Sequence, residues 1–345
     1  MNRTVLVICD MDEKYCYRLD EYIREYLNIS LEIVDYTDPD KLPDFDKKQE
    51  TAVLLIGQGA FNKVGTAGFD RILVLDEMES INSDNATLDY PNSEIDHTDK
   101  YQSSEIIVKK ILDFCMKFPE GIGQEKNPDS AKGKIFTFFS PVKRCMQTTV
   151  ALNMAQVLAQ KGKTLYISME AFYGNYIPEK EIDGNIADLL YYYDCDASKI
   201  ALYLQKVCVS VGAFDVIMPA QFFTQISDIP YEKWIELLRA IQKTEKYDYL
   251  IIDLSETNTA FLELLNISDR IYMITKPDVY AENKINQYEK LVRMAGSEKV
   301  LEKTIKCRLP KFRMISEGIQ VFDQKEIAEY IKQIMQTEIT DATEI

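Results

Sequence analysis

Histidine is almost absent from this chain: His97 is the only one among 345 residues. With a single histidine and no metal-ligand spacing around it, neither a His-based catalytic triad nor a zinc site is expected. The seven cysteines, Cys9, Cys16, Cys115, Cys145, Cys195, Cys208 and Cys307, never form a Cys-x-x-Cys pair. A thiolate metal cluster or a dithiol redox motif therefore has no basis in the sequence. Their odd number and irregular spacing suit reduced, mostly buried thiols. Positive charge is also short. Lys and Arg total 40 against 56 Asp and Glu, a net charge of -16. Such a surface repels phosphate backbones and anionic lipid, which argues against nucleic acid as a partner. No apolar run approaches the ~18 residues of a membrane span. The opening MNRTVLVICDMDEKY has a short apolar run that meets acids at once, unlike a secretory signal. The expectation is a cytoplasmic protein without a transmembrane segment. Internal repeats and low-complexity tracts are missing too.

What is present is a repeating rhythm of apolar strands and amphipathic helices. The length exceeds the ~150 residues typical of one domain, so two are expected. Over 1–118 the strand candidates are 4–9, 31–36, 51–56 and 71–75. Runs such as AVLLI and ILVL suit strands buried on both faces, hence a parallel sheet. Residues 14–27 and 103–116 carry helical periods, while 76–99 is acidic and reads as a loop with at most short elements. Residues 119–133 (PEGIGQEKNPDSAKG) have Pro, Gly and charge with little apolar content, as a linker would. From 134 the rhythm restarts and continues to a last helix at 324–335, which has Ile327, Ile331 and Ile334 on one side. Flanking basic residues are lacking there, so it reads as packing on the body rather than on a membrane. The expected class is α/β, with a doubly wound, mainly parallel sheet over 134–345.

The stretch KIFTFFSPVKRCMQTTVALNMAQVLAQKGKTLYISMEA, residues 134–171, runs strand, loop, Thr-Thr, helix, strand, acid. Together with YDYLIIDLS further on, it resembles the ParA/MinD family of P-loop NTPases. In that family the loop reads Lys-Gly-Gly-x-Gly-Lys-Thr-Thr. Placing Thr148 and Thr149 on the Thr pair puts Gln147 on the phosphate-binding lysine and Val142 on the signature lysine. Lys143, Arg144 and Met146 then fall on the three glycines. Glycines allow positive φ and let backbone N–H groups reach phosphate, and the lysine supplies charge. Their loss argues against efficient hydrolysis. The resemblance leaves a nucleotide-binding set of Lys143, Arg144, Gln147, Thr148 and Thr149. It also implies Asp253 and Thr148 as Mg²⁺ ligands if a nucleotide binds, and Glu170 as a catalytic candidate. ATP and Mg²⁺ are the implied cofactors, with no cofactor as the alternative. Gly162-Lys163-Thr164 resembles a P-loop ending, but it lies between a helix and a strand, the reverse of the needed order.

The first module, with VLVICDMDEKY, TAVLLIGQG and RILVLDE, resembles a response-regulator receiver of flavodoxin-like fold. Asp10 and Asp12 match the family's acid pair, the plainer alternative being solvated loop acids. The third strand ends Leu55-Ile56-Gly57, with no phosphoacceptor Asp, and phosphotransfer there is not expected. Lys100 falls near the family's lysine only if the acidic loop allows it. A receiver-like module before a ParA/MinD-like one resembles the CpaE/TadZ proteins of type IV (Flp/Tad) pilus assembly. That resemblance implies a scaffold or localisation factor with a degenerate Walker A loop, protein partners such as the pilus machinery, and a homodimer. A slow atypical ATPase using Lys143 or Arg144 remains open, and a partitioning ATPase stands behind it.

Overall fold

In the computed structural model, residues 3–26, 32–43, 50–77, 94–116, 133–172, 184–310 and 325–341 are described. The strands are β1 (Arg3–Cys9), β2 (Glu32–Tyr36), β3 (Glu50–Gly57), β4 (Arg71–Asp76), β5 (Glu94–Asp99), β6 (Lys134–Phe139), β7 (Thr164–Met169), β8 (Cys208–Val211), β9 (Phe214–Ile217), β10 (Tyr249–Leu254), β11 (Arg270–Thr275) and β12 (Thr304–Arg308). They form a 5-stranded sheet, β2-β1-β3-β4-β5, and a 7-stranded sheet, β12-β11-β6-β10-β7-β9-β8.

The chain divides into two compact units. The first comprises Met1–Gln124 with Ser198–Lys206, the second Glu125–Ala197 with Val207–Ile345. The segment 119–133, read from the sequence as a linker, lies outside the described residues except for Gly133.

All strand pairs of the first unit are parallel, in a flavodoxin-like order. Alternation along β1, β3 and β4 sends Leu6, Ile8, Leu55, Leu73 and Leu75 to one face, where helices Glu13–Tyr26 and Ser104–Met116 cover them. Val5, Val7, Leu54, Ile56, Ile72 and Val74 go to the other face, with Ala60 of helix Gln58–Val64. A strand covered on both sides needs a continuous apolar run, which is why these segments were legible. Leu202 is part of the first core, and Lys206 pairs with Asp113 at 2.6 Å.

Within 76–99, read from the sequence as a loop with at most short elements, residues 94–99 form the short strand β5, and 78–93 lie outside the described residues. The strand, EIDHTD, is an edge with β4 as its partner. Charged side chains on an edge discourage further strand pairing, and they also hide the apolar alternation that marks a strand.

In the second unit every pair is parallel except the hairpin β8–β9, which turns at Gly212 with φ 62°. β10 inserts between β6 and β7, so the C-terminal ends of these central strands share one sheet edge. Ligands of open parallel sheets bind at that edge. Helix Gln147–Ala159 follows β6 and presents Val150, Ala151, Met154, Ala155 and Leu158 to the core. The last helix, Lys325–Asp341, packs on it through Ile327 and Ile331, as its apolar side anticipated. Among the described residues, no helix is long and apolar enough to cross a membrane.

Candidate functional site

The loop after β6 is tied down before it turns. Ser140 Oγ donates to Ile274 O at 2.5 Å and accepts from Val142 N at 3.2 Å, joining the loop to β11. Lys284 Nζ reaches Val142 O at 3.5 Å. The backbone then enters the left-handed region at Lys143 (φ 62°), Arg144 (φ 48°) and Met146 (φ 68°). These are the positions that the alignment assigned to glycines. For a residue with a Cβ, that conformation costs about 1–2 kcal/mol. It persists where packing over-determines it: Cys145 is buried in the core of the unit, and Met146 packs against that core. The loop thus keeps a glycine-type backbone without a glycine.

Gln147, the first residue of the helix, is buried. Its Nε2 lies 2.6 Å from Asp253 Oδ1, 3.1 Å from Leu254 O, 3.2 Å from Glu170 Oε1 and 3.3 Å from Phe138 O. An amide nitrogen carries two hydrogens, so these acceptors outnumber its donors. The side chain ties the strand ends of β6, β7 and β10 together beneath the loop.

Asp253 is fully buried in β10. Its second oxygen accepts from Tyr166 OH at 2.9 Å, and the Thr148 hydroxyl bonds it as well. Burial pushes the carboxyl up from its ordinary value, against the bonds from Gln147, Thr148 and Tyr166 and the charge of Lys143. Glu170 is pushed up to about 7 by burial and then by Asp253, with Lys143 opposing. Lys143 Nζ pairs with Glu256 and stands 3.9 Å from Glu170. Arg144 is exposed.

A magnesium ion needs open carboxylate oxygens and an octahedron of oxygen ligands. Both oxygens of Asp253 already take donors from the protein, and Thr148 is turned to the same carboxylate. This arrangement does not fit the ion. Thr149 offers its carbonyl to Asn153 Nδ2 at 2.8 Å, a bond within the helix. Gly162 and Thr164 are a helix end and a strand start: Gly162 N bonds Leu158 O at 3.0 Å, and Thr164 opens β7.

The chain is similar to solved ParA and MinD structures. A ParA family ATPase from Chlorobium tepidum TLS is 18% identical, with a TM-score of 0.46 over 58% of this chain and 98% of that one. A putative plasmid partition protein from Borrelia burgdorferi B31, bound to AMPPNP, is 18% identical, with a TM-score of 0.44 over 60% and 99%. The septum site-determining protein MinD from Pyrococcus horikoshii OT3, complexed with Mg-ADP, is 15% identical, with a TM-score of 0.45 over 62% and 99%. No protein-family model and no curated protein matches the chain. The chemistry of the site rests on its own residues.

The first unit holds a second cluster, at the C-terminal ends of β1, β4 and β5. Lys100, just past β5, is buried; its Nζ lies 2.9 and 3.1 Å from the oxygens of Asp10 and 2.6 Å from Glu77 Oε1. Burial pulls the ammonium down, but the bonds from Glu77 and Asp10 outweigh it and leave it above its ordinary value. Asp10 is therefore no solvated loop acid. Asp12 is exposed and caps helix Glu13–Tyr26 through Lys14 N (3.0 Å) and Tyr15 N (3.2 Å). At Gly57, a Cβ would meet Asp10 Oδ2 at 2.4 Å. A side chain at that position would displace the Asp10 carboxylate.

Sequence reasoning missed Tyr166 and left Lys100 unplaced. A tyrosine within TLYIS looks like strand filling, and its hydroxyl finds Asp253 only because β7 and β10 are neighbours. Lys100 could not be placed because the acidic 76–99 segment before it gives no register.

Proposed function

We propose that this chain is a CpaE/TadZ-like scaffold or localisation factor built on a ParA/MinD-like fold, and that it does not turn over ATP at a useful rate. The observation that carries this reading is the inward Gln147: it replaces a phosphate-binding cation with a neutral amide and bonds Asp253 at 2.6 Å. Lysine charge between the β and γ phosphates and a free acid for the metal are what phosphoryl transfer requires. Both are given over here to holding strand ends together. The protein works, in this reading, in the cytoplasm by contact with protein partners, among them type IV (Flp/Tad) pilus machinery, and as a homodimer. The receiver-like unit serves as a contact surface rather than a phosphorylation switch. ATP, if it binds, is a structural ligand. The test is phosphate release from ATP with Mg²⁺ by the purified full chain. Background rates in wild type and in Asp253→Ala support the scaffold; wild-type turnover abolished by Asp253→Ala overturns it.

A second reading, a slow atypical ATPase, is supported by the loop backbone. Left-handed Lys143, Arg144 and Met146 keep the path that a phosphate cradle follows, and exposed Arg144 offers displaced charge. It requires Lys143→Ala and Arg144→Ala to weaken ATP binding sharply in calorimetry; unchanged affinity in both ends it.

A further inference from the structure

Helix Val279–Met294 is anchored along one side only. Ala281, Ile285, Tyr288 and Val292 are buried, and the Tyr288 ring lies 5.3 Å from that of Phe139, centroid to centroid. Asp278 caps the first turn through Ala281 N at 2.9 Å. A second apolar set turns away from that core: Tyr280 is 82% exposed, Leu291 55% and Met294 73%. Their order along the helix is regular. Tyr280, Lys284, Gln287, Leu291 and Met294 follow one another at steps of four, three, four and three. At 3.6 residues per turn these five share an arc of about 80° over about 21 Å of helix. That is the spacing of a coiled-coil seam, and all five side chains are exposed. A rigid helix that carries such a seam loses little entropy on binding a partner.

The seam is positive on a chain of net charge -16. Lys284 stands at one margin of the arc and Lys290 just beyond the other, both exposed. Lys284 Nζ reaches a carbonyl, Val142 O, at 3.5 Å. Neither lysine has a carboxylate partner among the described residues. The acids of the same helix are engaged or lie elsewhere. Glu289 is held by Lys306 at 2.6 Å and Arg293 at 3.4 Å. Glu282 is turned about 160° from the seam.

We propose that the seam of Tyr280, Lys284, Gln287, Leu291 and Met294, with Lys290 beside it, docks an acidic amphipathic helix of a protein partner. Apolar residues at the a and d positions of that helix cover Tyr280, Leu291 and Met294. Its Glu or Asp residues at e and g meet Lys284 and Lys290. A second copy laid antiparallel on the seam would set lysines beside lysines. Anionic lipid would attract the two lysines but repel the acidic remainder of the chain. The proposal deepens the scaffold reading and rests on it, naming the chemistry of the protein that the scaffold holds.

The experiment uses the full chain and a fluorescent helical peptide with Leu at a and d and Glu at e and g, by anisotropy at about 0.15 M salt. Repulsion from a chain of net charge -16 opposes non-specific capture of this peptide. Wild type is expected to bind it. Tyr280→Ser/Leu291→Ser/Met294→Ser and Lys284→Glu/Lys290→Glu are each expected to weaken binding about tenfold or more, about 1.4 kcal/mol. The Lys284/Lys290 variant is also expected to bind the counterpart peptide, with Lys at e and g, more tightly than wild type does. Lys161→Glu/Lys243→Glu, exposed lysines on other elements, is expected to leave the affinity for the Glu peptide unchanged. Leu291→Ser alone repeats the test should the triple variant misfold. Absence of binding by wild type overturns the proposal. Equal binding by wild type and the seam variants does so too, as does equal weakening by the Lys161/Lys243 variant. Seam-dependent self-association in sedimentation without peptide binding overturns it in favour of a second copy. Seam-dependent binding to phosphatidylglycerol vesicles without peptide binding overturns it in favour of lipid. ATP turnover together with seam-dependent peptide binding would sink the scaffold reading and keep the docking site. Loss of seam dependence in an ATP-inert chain would sink the docking site alone.

Discussion

Gln147 donates its side-chain amide to Asp253 at 2.6 Å, linking the first turn of the helix after β6 to the end of β10. Asp253 is fully buried, and the Gln147 amide is one of the donors, with Thr148 and Tyr166, that meet its carboxyl. The bond makes Asp253 tolerable where it stands, since a buried carboxylate needs donors.

Gln147→Ala removes one of those donors. The unfolding free energy should fall by about 1–3 kcal/mol, the cost of leaving a buried acceptor unpaired. Combining it with Asp253→Asn in a double-mutant cycle, read by urea denaturation of the second unit, should give a coupling of about 0.5–3 kcal/mol. Additive effects would mean that the bond carries no stability.

Arg144→Gly should stabilise the chain. Glycine in a loop usually costs conformational entropy, but at φ 48° it relieves a Cβ clash. With an exposed side chain lost, the net gain should be about 0.5–1 kcal/mol in denaturant melts. The same change at a residue with negative φ would destabilise.

Glu170 gives a pH signature. Its folded value of about 7 stands above the ordinary 4.5, mainly through burial. The folded chain therefore holds the proton more tightly than the unfolded one. Through this group, stability falls as pH rises from about 4.5 to about 7 and then levels off. Glu170→Gln should flatten that slope and be more stable than wild type at pH 8. Urea midpoints for both proteins at pH 5 and pH 8 check it, with equal slopes counting against the assignment.

In the first unit, Lys100→Met should destabilise by about 3–5 kcal/mol, because Asp10 would stay buried without its partner. Gly57→Ala should act through the same pair, its methyl group displacing the Asp10 carboxylate from Lys100. A thermal melt of each variant, followed with the double substitution Lys100→Met/Asp10→Leu, tests the pairing. The double variant should recover part of the loss.

Much of the fold was legible because strands covered on both faces must be apolar throughout. AVLLI became the middle of β3, ILVL the middle of β4 and YLII the first four residues of β10. Edges were the failure. β5 carries its charges outward, and β8 follows a helix without a break and pairs antiparallel with β9. Within the loop, aligning Thr148 and Thr149 put glycines on Lys143, Arg144 and Met146, and these three residues have positive φ. What no local pattern could supply was the direction of the Gln147 side chain. That depends on Asp253, Glu170 and Leu254, which the sheet order brings from distant parts of the chain.

The first unit is not one piece of sequence, because Ser198–Lys206 belongs to it while the residues on either side belong to the second. A protease nick or a gene truncation anywhere near 119–133 would thus release a fragment lacking Leu202, with a gap in its own interior. Neither unit can be freed by a single cut, and the polypeptide has to finish more than half its length before the earlier unit has all its parts. Synthesis order and assembly order are out of step in this molecule.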